Sequence, residues 1–287
     1  MTISRFAPAP TGYLHLGHVL NAIHVWGVTH ARGGRVLLRI EDHDRQRSRP
    51  EFERAIFEDL AWLGFVLPQG VCAVRQSDRG SIYAAALQRL RDAGLVYACD
   101  CSRAAIVEAH APPGPGGELR YPGTCATKHL AEAAGVGVRV RLPQTIERFD
   151  DLRRGPQTQR PFEQCGDLLV KDRDGNWTYQ FAATVDDYLQ GVTLVIRGDD
   201  LLASTGRQLL LARMLGREAP PQFLHHALLM KTATQKLSKS AGDTGVRDLR
   251  AGGWTPSNVI GEAAFRGGLL PERRPLDASE VPSLMAR

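Results

Sequence analysis

No apolar run in this chain is long enough to cross a bilayer as a helix, which excludes a helical membrane span. No charged-then-apolar leader opens it either. The N-terminus runs straight into the β-compatible stretch Thr2-Ile-Ser-Arg-Phe-Ala7, so a cytoplasmic protein without a secretory or transit segment is expected. Charge of one sign is not in large excess: 36 Lys and Arg stand against 31 Asp and Glu, a net charge of +5. That balance suits an acidic partner such as RNA without requiring one, since the basic residues form no long run. Cysteine is sparse and odd in number, five in 287 residues. This excludes a disulfide-stapled scaffold, and the thiols are expected to be reduced. No internal repeat or coiled-coil heptad is visible. What remains is ordinary globular composition, 43% hydrophobic and 23% charged, in a length that suits one large or two modest domains.

Pattern along the first hundred residues alternates. After strand-like 2–7 come a Pro-Ala-Pro-Thr-Gly turn and a helical stretch, Leu14 to Trp26. Strand-like 35–40 is followed by a helix over 51–63, opened by Pro50 and carrying two glutamates in its first turn, where the helix dipole favours them. Val71–Val74 reads as strand, Ser81–Ala93 as helix ended by Gly94, and Leu95–Ala98 as strand. Such alternation predicts an α/β fold built on a doubly wound parallel sheet. From Cys99 to Phe181 glycines and prolines rise, short strands are expected at 137–142 and 166–171, and Asp172–Asn176 reads as a hairpin turn. Alternation then resumes with a strand over 190–197, a helix over 204–215 closed by Gly216, and a strand within 223–230. The expected units are 1–98 and 182–240 as halves of one catalytic domain, 99–181 as an inserted α+β subdomain, and 241–287 as a short tail with a helix near 256–265. That tail is too short for a second substantial RNA-reading domain.

Two short motifs carry the chemistry. One is His15-Leu-Gly17-His18, placed where a strand and turn feed a helix; the other is Lys236-Leu-Ser-Lys239-Ser240. A helix start presents unpaired N–H groups and so favours anions. His15 and His18, three apart, can face one side of that turn and donate hydrogen bonds to phosphate oxygens, while Gly17 leaves room for a nucleotide. Lys236 and Lys239 can bring charge to the same phosphates from a loop. Either motif alone is usually a solvated turn or a basic loop; their joint occurrence points to stabilising charge on a phosphate in a transition state.

The cysteines suggest a metal. Cys99, Cys101 and Cys125 bracket the loop Ala111-Pro-Pro-Gly-Pro-Gly-Gly117, which has little capacity for its own core. Zinc in structural sites takes four ligands. Asp100, His110 and His129 are available along the chain as a fourth; a phenolate such as Tyr121 is a rare one. Cys72 and Cys165 read as packing residues.

Taken together, HxGH and KLSKS resemble the signature pair of class I aminoacyl-tRNA synthetases. Leu38-Arg-Ile-Glu-Asp-His-Asp44 and the stretch from Val185-Asp-Asp through Ile196-Arg197 to Gln208 resemble the glutamyl-specific branch. That resemblance implies catalytic roles for His15, His18 and Lys239, with Gly17 and Lys236 joining them around ATP. It implies an L-glutamate pocket of Arg5, Ala7, Ala9, Glu41, Tyr179 and Arg197. Arg5 and Arg197 would hold the side-chain carboxylate with the Tyr179 hydroxyl, and Glu41 the α-ammonium, a pairing that suits a dicarboxylic amino acid. The family usually has serine where Ala9 stands, so one pocket hydroxyl is missing. The short chain and the CxC…YxxxC pattern further resemble the glutamyl-Q tRNA(Asp) synthetase family. There one structural zinc ion is held at positions matching Cys99, Cys101, Tyr121 and Cys125. Members activate glutamate with ATP and magnesium without tRNA, then transfer it to queuosine in the anticodon loop of tRNA(Asp). A monomer is the family-based expectation. The rivals are a minimal glutamyl-tRNA synthetase charging a tRNA 3′ end, glutamate activation for another acceptor, and a non-catalytic RNA-binding module.

Overall fold

The computed structural model describes residues 1–67, 72–109, 114, 117–230 and 245–286. The first half runs β1 (Ile3–Phe6), α1 (Leu16–Ala31), β2 (Arg35–Ile40), α2 (Pro50–Leu63), β3 (Val74–Arg75), α3 (Gly80–Asp92) and β4 (Val96–Cys99). Then come α4 (Arg103–Glu108), β5 (Gly137–Val140), β6 (Glu147–Asp151), β7 (Gly155–Gln159), α5 (Pro161–Cys165) and β8 (Leu168–Lys171). The chain continues with α6 (Tyr179–Leu189), β9 (Leu194–Gly198), α7 (Thr205–Met214), β10 (Gln222–His226), α8 (Val246–Ala251), α9 (Pro256–Arg266) and α10 (Val281–Met285). Among the described residues no helix is long and apolar enough to cross a membrane.

Local chemistry explains the boundaries. Helix α2 starts at Pro50, whose missing N–H is no loss in a first turn, and stops at Gly64, whose φ of 86° suits glycine. Helix α1 is apolar on nearly every side, and it is the hub of the larger core, packed between β1, β2 and β9 on one side and α9 and α10 on the other. Gly27 permits the last of these contacts: a Cβ there would lie 2.5 Å from Met285 Cγ. A second core gathers α3, α6 and α7 against β5 and β8, with Phe181 and Val170 fully buried.

The expected single doubly wound sheet is instead divided. Strands β1, β2 and β3 form one parallel ladder, with Ile3 opposite Arg35. A second sheet has the order β7-β6-β10-β9, parallel from β9 through β10 to β6, with β7 an antiparallel edge. The two meet where the Thr193 N–H donates to the Ile3 carbonyl at 2.9 Å. The third sheet, β4-β5-β8, is antiparallel. Residues 99–181 therefore feed two sheets. The β6–β7 hairpin carries no strand signal in sequence because Glu147-Arg-Phe-Asp-Asp151 and Gly155-Pro-Gln-Thr-Gln159 have polar composition, and the other partner of β6, β10, comes from far along the chain. The helix expected at Leu14–Trp26 begins two residues later and runs to Ala31; of the strand expected over 71–74, Val71 lies outside the described residues and the described strand is Val74–Arg75.

Candidate functional site

Helix α1 begins with a cap made by the two histidines on each other's backbone. The Gly17 N–H donates to His15 Nδ1 at 3.1 Å, and the His15 N–H donates to His18 Nδ1 at 3.1 Å. A ring nitrogen that accepts carries no proton, so each neutral ring bears its proton on Nε2. The cap thus fixes both tautomers with Nε2–H as the donor edge, and the ring centroids lie 3.9 Å apart. Space at Gly17 serves this arrangement: a Cβ there would lie 2.9 Å from His15 Cε1, so glycine leaves room for the His15 ring. Gly245 pairs with His15 as a β-bridge, and Val246 N–H donates to Leu14 C=O at 2.8 Å. Lys236 and Lys239 lie outside the described residues.

Beside this turn a buried ionic network links the ends of β1, β2 and α6. Arg5 Nε donates to Asp187 Oδ1 at 3.0 Å, and Arg39 donates to the same oxygen at 2.7 Å and to Glu41 Oε1 at 3.1 Å. Burial opposes the charge on Arg39, but Asp187, Glu41 and Asp186 outweigh it and raise its pKa. Burial would raise the Asp187 pKa; Arg5 and then Arg39 outweigh that and hold it down at about 2. Two guanidinium groups and two carboxylates therefore satisfy one another. Next to them Asp186, fully buried, accepts from Arg79, Tyr83 and Gln76, and His43 Nδ1 lies 2.6 Å from Gln76 Oε1.

Arg197, on β9, differs. Its side chain is 4% exposed, and it donates to His225 Nε2 at 3.0 Å, Gln208 Oε1 at 2.6 Å and Thr205 Oγ1 at 2.8 Å. All three acceptors are neutral, and among the described residues no carboxylate pairs with it. Burial lowers its pKa, against the pull of Tyr179 and Asp187, while Arg5 adds repulsion. Arg5 reaches the carbonyl of the preceding residue, Ile196, at 3.0 Å. Arg5, Glu41, Tyr179 and Arg197 thus lie along one polar seam. Ala7 and Ala9 are half-buried on the loop leaving β1, where Pro8 C=O accepts the Glu41 N–H at 3.0 Å. The chemistry available is anion capture: a buried cation without a counter-ion is costly until one arrives.

The cysteine cluster forms as spacing suggested. The sulfurs of Cys99, Cys101 and Cys125 lie within 4.8 Å of one another. The Tyr121 hydroxyl is 3.5 Å from Cys99 Sγ and accepts the Cys125 N–H at 2.8 Å. His129 is exposed and outside this group, His110 is outside the described residues, and Asp100 accepts from Cys125 Sγ at 3.0 Å. Burial and the neighbouring thiols push Cys101 up to about 12. For Cys99, burial works the other way from the Tyr121 and Arg139 hydrogen bonds, which win and lower its pKa. Three thiols and a phenol oxygen around one point fit a tetrahedral zinc-type ion. Cys165 is buried, whereas Cys72 is exposed on the loop ahead of β3 and packs in no core. A cavity of about 970 Å³ runs from this cluster to α6 and α7, lined among others by Cys101, Tyr121, Arg139, Asp167, Gln180 and Arg207.

The sequence motifs did not single out Arg39, Asp186 and Asp187, nor Thr205 and Gln208 as partners of Arg197. Their signal was present: a charged residue inside the apolar strand Arg35–Ile40, and two acids inside the amphipathic stretch 179–189, must be paired when buried.

The sequence matches the family described as tRNA synthetases class I (E and Q), catalytic domain, over residues 2–273. It is 41% identical to a glutamyl-Q tRNA(Asp) synthetase of Symbiobacterium thermophilum, covering 98% of this chain and 91% of that protein. Identity is 40% to a glutamate–tRNA ligase of Synechococcus sp., covering 96% of this chain but 59% of the relative. In three dimensions the chain is similar to a glutamate tRNA ligase from Elizabethkingia meningosepticum in complex with its amino acid. The TM-score is 0.78 and the identity 26%, covering all of this chain and 64% of the other.

Proposed function

Since the chain belongs to the class I tRNA synthetases of the E and Q type, ligases that join an activated amino acid to tRNA, we propose that it activates L-glutamate without tRNA. We further propose that it transfers the glutamate to queuosine in the anticodon loop of tRNA(Asp). The observation that carries the first step is Arg197, a buried cation whose three hydrogen-bond acceptors are all neutral. A glutamate side-chain carboxylate supplies the missing charge. Arg5 and the Tyr179 hydroxyl flank it, Glu41 takes the α-ammonium, and Ala7 and Ala9 line the backbone side.

The α-carboxylate then attacks the α-phosphorus of ATP. A carboxylate oxygen–phosphorus bond forms, the bond to pyrophosphate breaks, and glutamyl-adenylate results. His15 and His18 donate from Nε2–H to the phosphates, Gly17 keeps their cap in place, and Lys236 and Lys239 neutralise charge on the leaving pyrophosphate. Magnesium enters with ATP as part of the substrate. In the second step a queuosine hydroxyl attacks the mixed anhydride carbon, AMP leaves with the bonding electron pair, and the hydroxyl proton passes to solvent. Cys99, Cys101, Tyr121 and Cys125 would hold one structural zinc ion, ordering the 99–181 insertion between the two halves of the catalytic unit, 1–98 and 182–240. The tail, 241–287, carries α9 and α10, which pack against α1, and the chain acts as a monomer.

ATP–pyrophosphate exchange with each amino acid in turn, in the absence of tRNA, tests the first step. Exchange with glutamate alone supports it. Exchange that needs tRNA, or that prefers another amino acid, would remove it.

A further inference from the structure

The side chain that anchors Arg197 is itself anchored from outside the pocket. His225 lies on β10, fully buried, and its ring Nδ1 is 2.7 Å from Asp151 Oδ2. The same carboxylate oxygen accepts the His225 backbone N–H at 3.0 Å, and the other accepts the N–H groups of Arg153 and Arg154 at 3.0 and 2.8 Å. A carboxylate partner requires the proton on Nδ1, which leaves Nε2 as an acceptor. That lone pair takes the Arg197 Nε–H at 3.0 Å, and Thr205 Oγ1 lies 3.3 Å from it while accepting from Arg197 at 2.8 Å. Donation therefore runs one way, from Arg197 through His225 to Asp151.

We infer that Asp151 and His225 are positioning residues: together they fix the depth and tilt of the Arg197 guanidinium, and so set the length of the dicarboxylate accepted. This rests on the glutamate reading of the pocket. The reverse tautomer, or a second proton on the ring, would aim an N–H at the Arg197 Nε–H and release the fork. Burial and the Arg197 charge hold the His225 pKa down at about 4, against Asp151 and Asp199, which keeps the ring neutral at ordinary pH. Asp151 arrives on β6, whose Asp151 pairs with Phe223 of β10. The hairpin contributed by the 99–181 stretch thus reaches the substrate pocket through two side chains. Without the His225 acceptor, the guanidinium keeps its bonds to Gln208 and Thr205 but can swing about them. A shorter acid such as aspartate, one methylene further from a fixed fork, then competes better.

Two measurements test the relay. The first is pyrophosphate exchange with glutamate and with aspartate on His225→Asn and His225→Gln. Asparagine retains a donor near the Nδ1 position but lacks the Nε2 acceptor; glutamine restores it. The expected result for His225→Asn is a KM for glutamate raised about 10- to 100-fold, as losing a hydrogen bond to a charged group implies. The kcat should be nearly unchanged and the preference for glutamate over aspartate narrowed, with most of each effect recovered in His225→Gln. Equal KM in both variants and wild type, with only melting altered, would reduce the cluster to packing. The second is a long-range proton–nitrogen NMR correlation of the wild-type imidazoles, which needs neither variant nor substrate. A neutral His225 protonated on Nδ1 agrees with the relay; an Nε2–H tautomer or an imidazolium at pH 7 overturns it. If the wild-type chain exchanged with some other amino acid, the glutamate reading would fall while this spectrum still decided the relay.

Discussion

At the scale of single residues, Arg197 and Asp187 show two fates of a buried charge. Asp187 is paired twice, and its pKa of about 2 lies below the usual carboxylate range because Arg5 and Arg39 outweigh its burial. A depressed carboxylate pKa contributes stability above its unfolded value near 3.8 and loses it as pH falls through the folded value. Asp187→Asn should therefore cost about 3–5 kcal/mol at pH 7, the usual cost of breaking a buried pair, and clearly less at pH 3. Denaturant unfolding at the two pH values measures this, and an equal loss at both would contradict the assignment. Among the described residues Arg197 has no such partner, and its proposed role lies in binding. Arg197→Lys should lower kcat/KM for glutamate about 100-fold or more, because an ammonium cannot reproduce a fork held at three points. Pyrophosphate exchange across glutamate concentrations reads the effect, and a variant within a few-fold of wild type would move the carboxylate site elsewhere. Arg5, Glu41 and Arg197 were legible as residues through motif resemblance. Their division into paired and unpaired charges was not, because pairing with Asp187 depends on a contact 182 positions away.

At the scale of elements, local signals did well and long-range pairing did not. Strand β2 and helix α2 appear almost where proline, glycine and apolar periodicity placed them. The β6–β7 hairpin carries no such signal, because its residues are polar and its support comes from β10. Helix α2 also carries an unusual acid. Asp59 is 3% exposed, and among the described residues its Oδ2 has no hydrogen-bond partner. Burial pushes its pKa up to about 6, with Arg250 pulling the other way. A raised carboxylate pKa means stability is full below the unfolded value and declines as pH rises through about 6. Asp59→Asn should thus raise the melting temperature at pH 8, by an amount corresponding to about 1–2 kcal/mol, with the gain vanishing near pH 4. Melting curves across pH check the sign. The cysteine cluster makes its own prediction at this scale. Cys101→Ser should abolish bound zinc, measured by elemental analysis, and lower the melting temperature by several degrees. Unchanged metal content and melting would leave Cys99, Cys101 and Cys125 as three thiols near Tyr121.

At the scale of the whole molecule, the chain combines a histidine-capped helix start, a buried arginine with neutral acceptors and a large cavity that extends towards the cysteine cluster. The pairing of HxGH with KLSKS made the reaction class legible before any coordinates. The return of the chain at Gly245 to His15 gives that pairing a physical basis, since it ties the sequence just beyond KLSKS to the start of α1. The RNA acceptor was legible only through the resemblance carried by chain length and CxC…YxxxC, not through residues whose chemistry recognises RNA. The chain spans 91% of the similar glutamyl-Q tRNA(Asp) synthetase but only 59% of the similar glutamate–tRNA ligase. Both chemistries begin with the same adenylate, so the destination of the glutamate separates them. The most direct measurement is transfer of radiolabelled glutamate, with ATP, to tRNA from cells that make queuosine and from cells that cannot. Label confined to the queuosine-containing pool is the predicted result; equal label on both pools would contradict the account and make the acceptor an ordinary tRNA 3′ end.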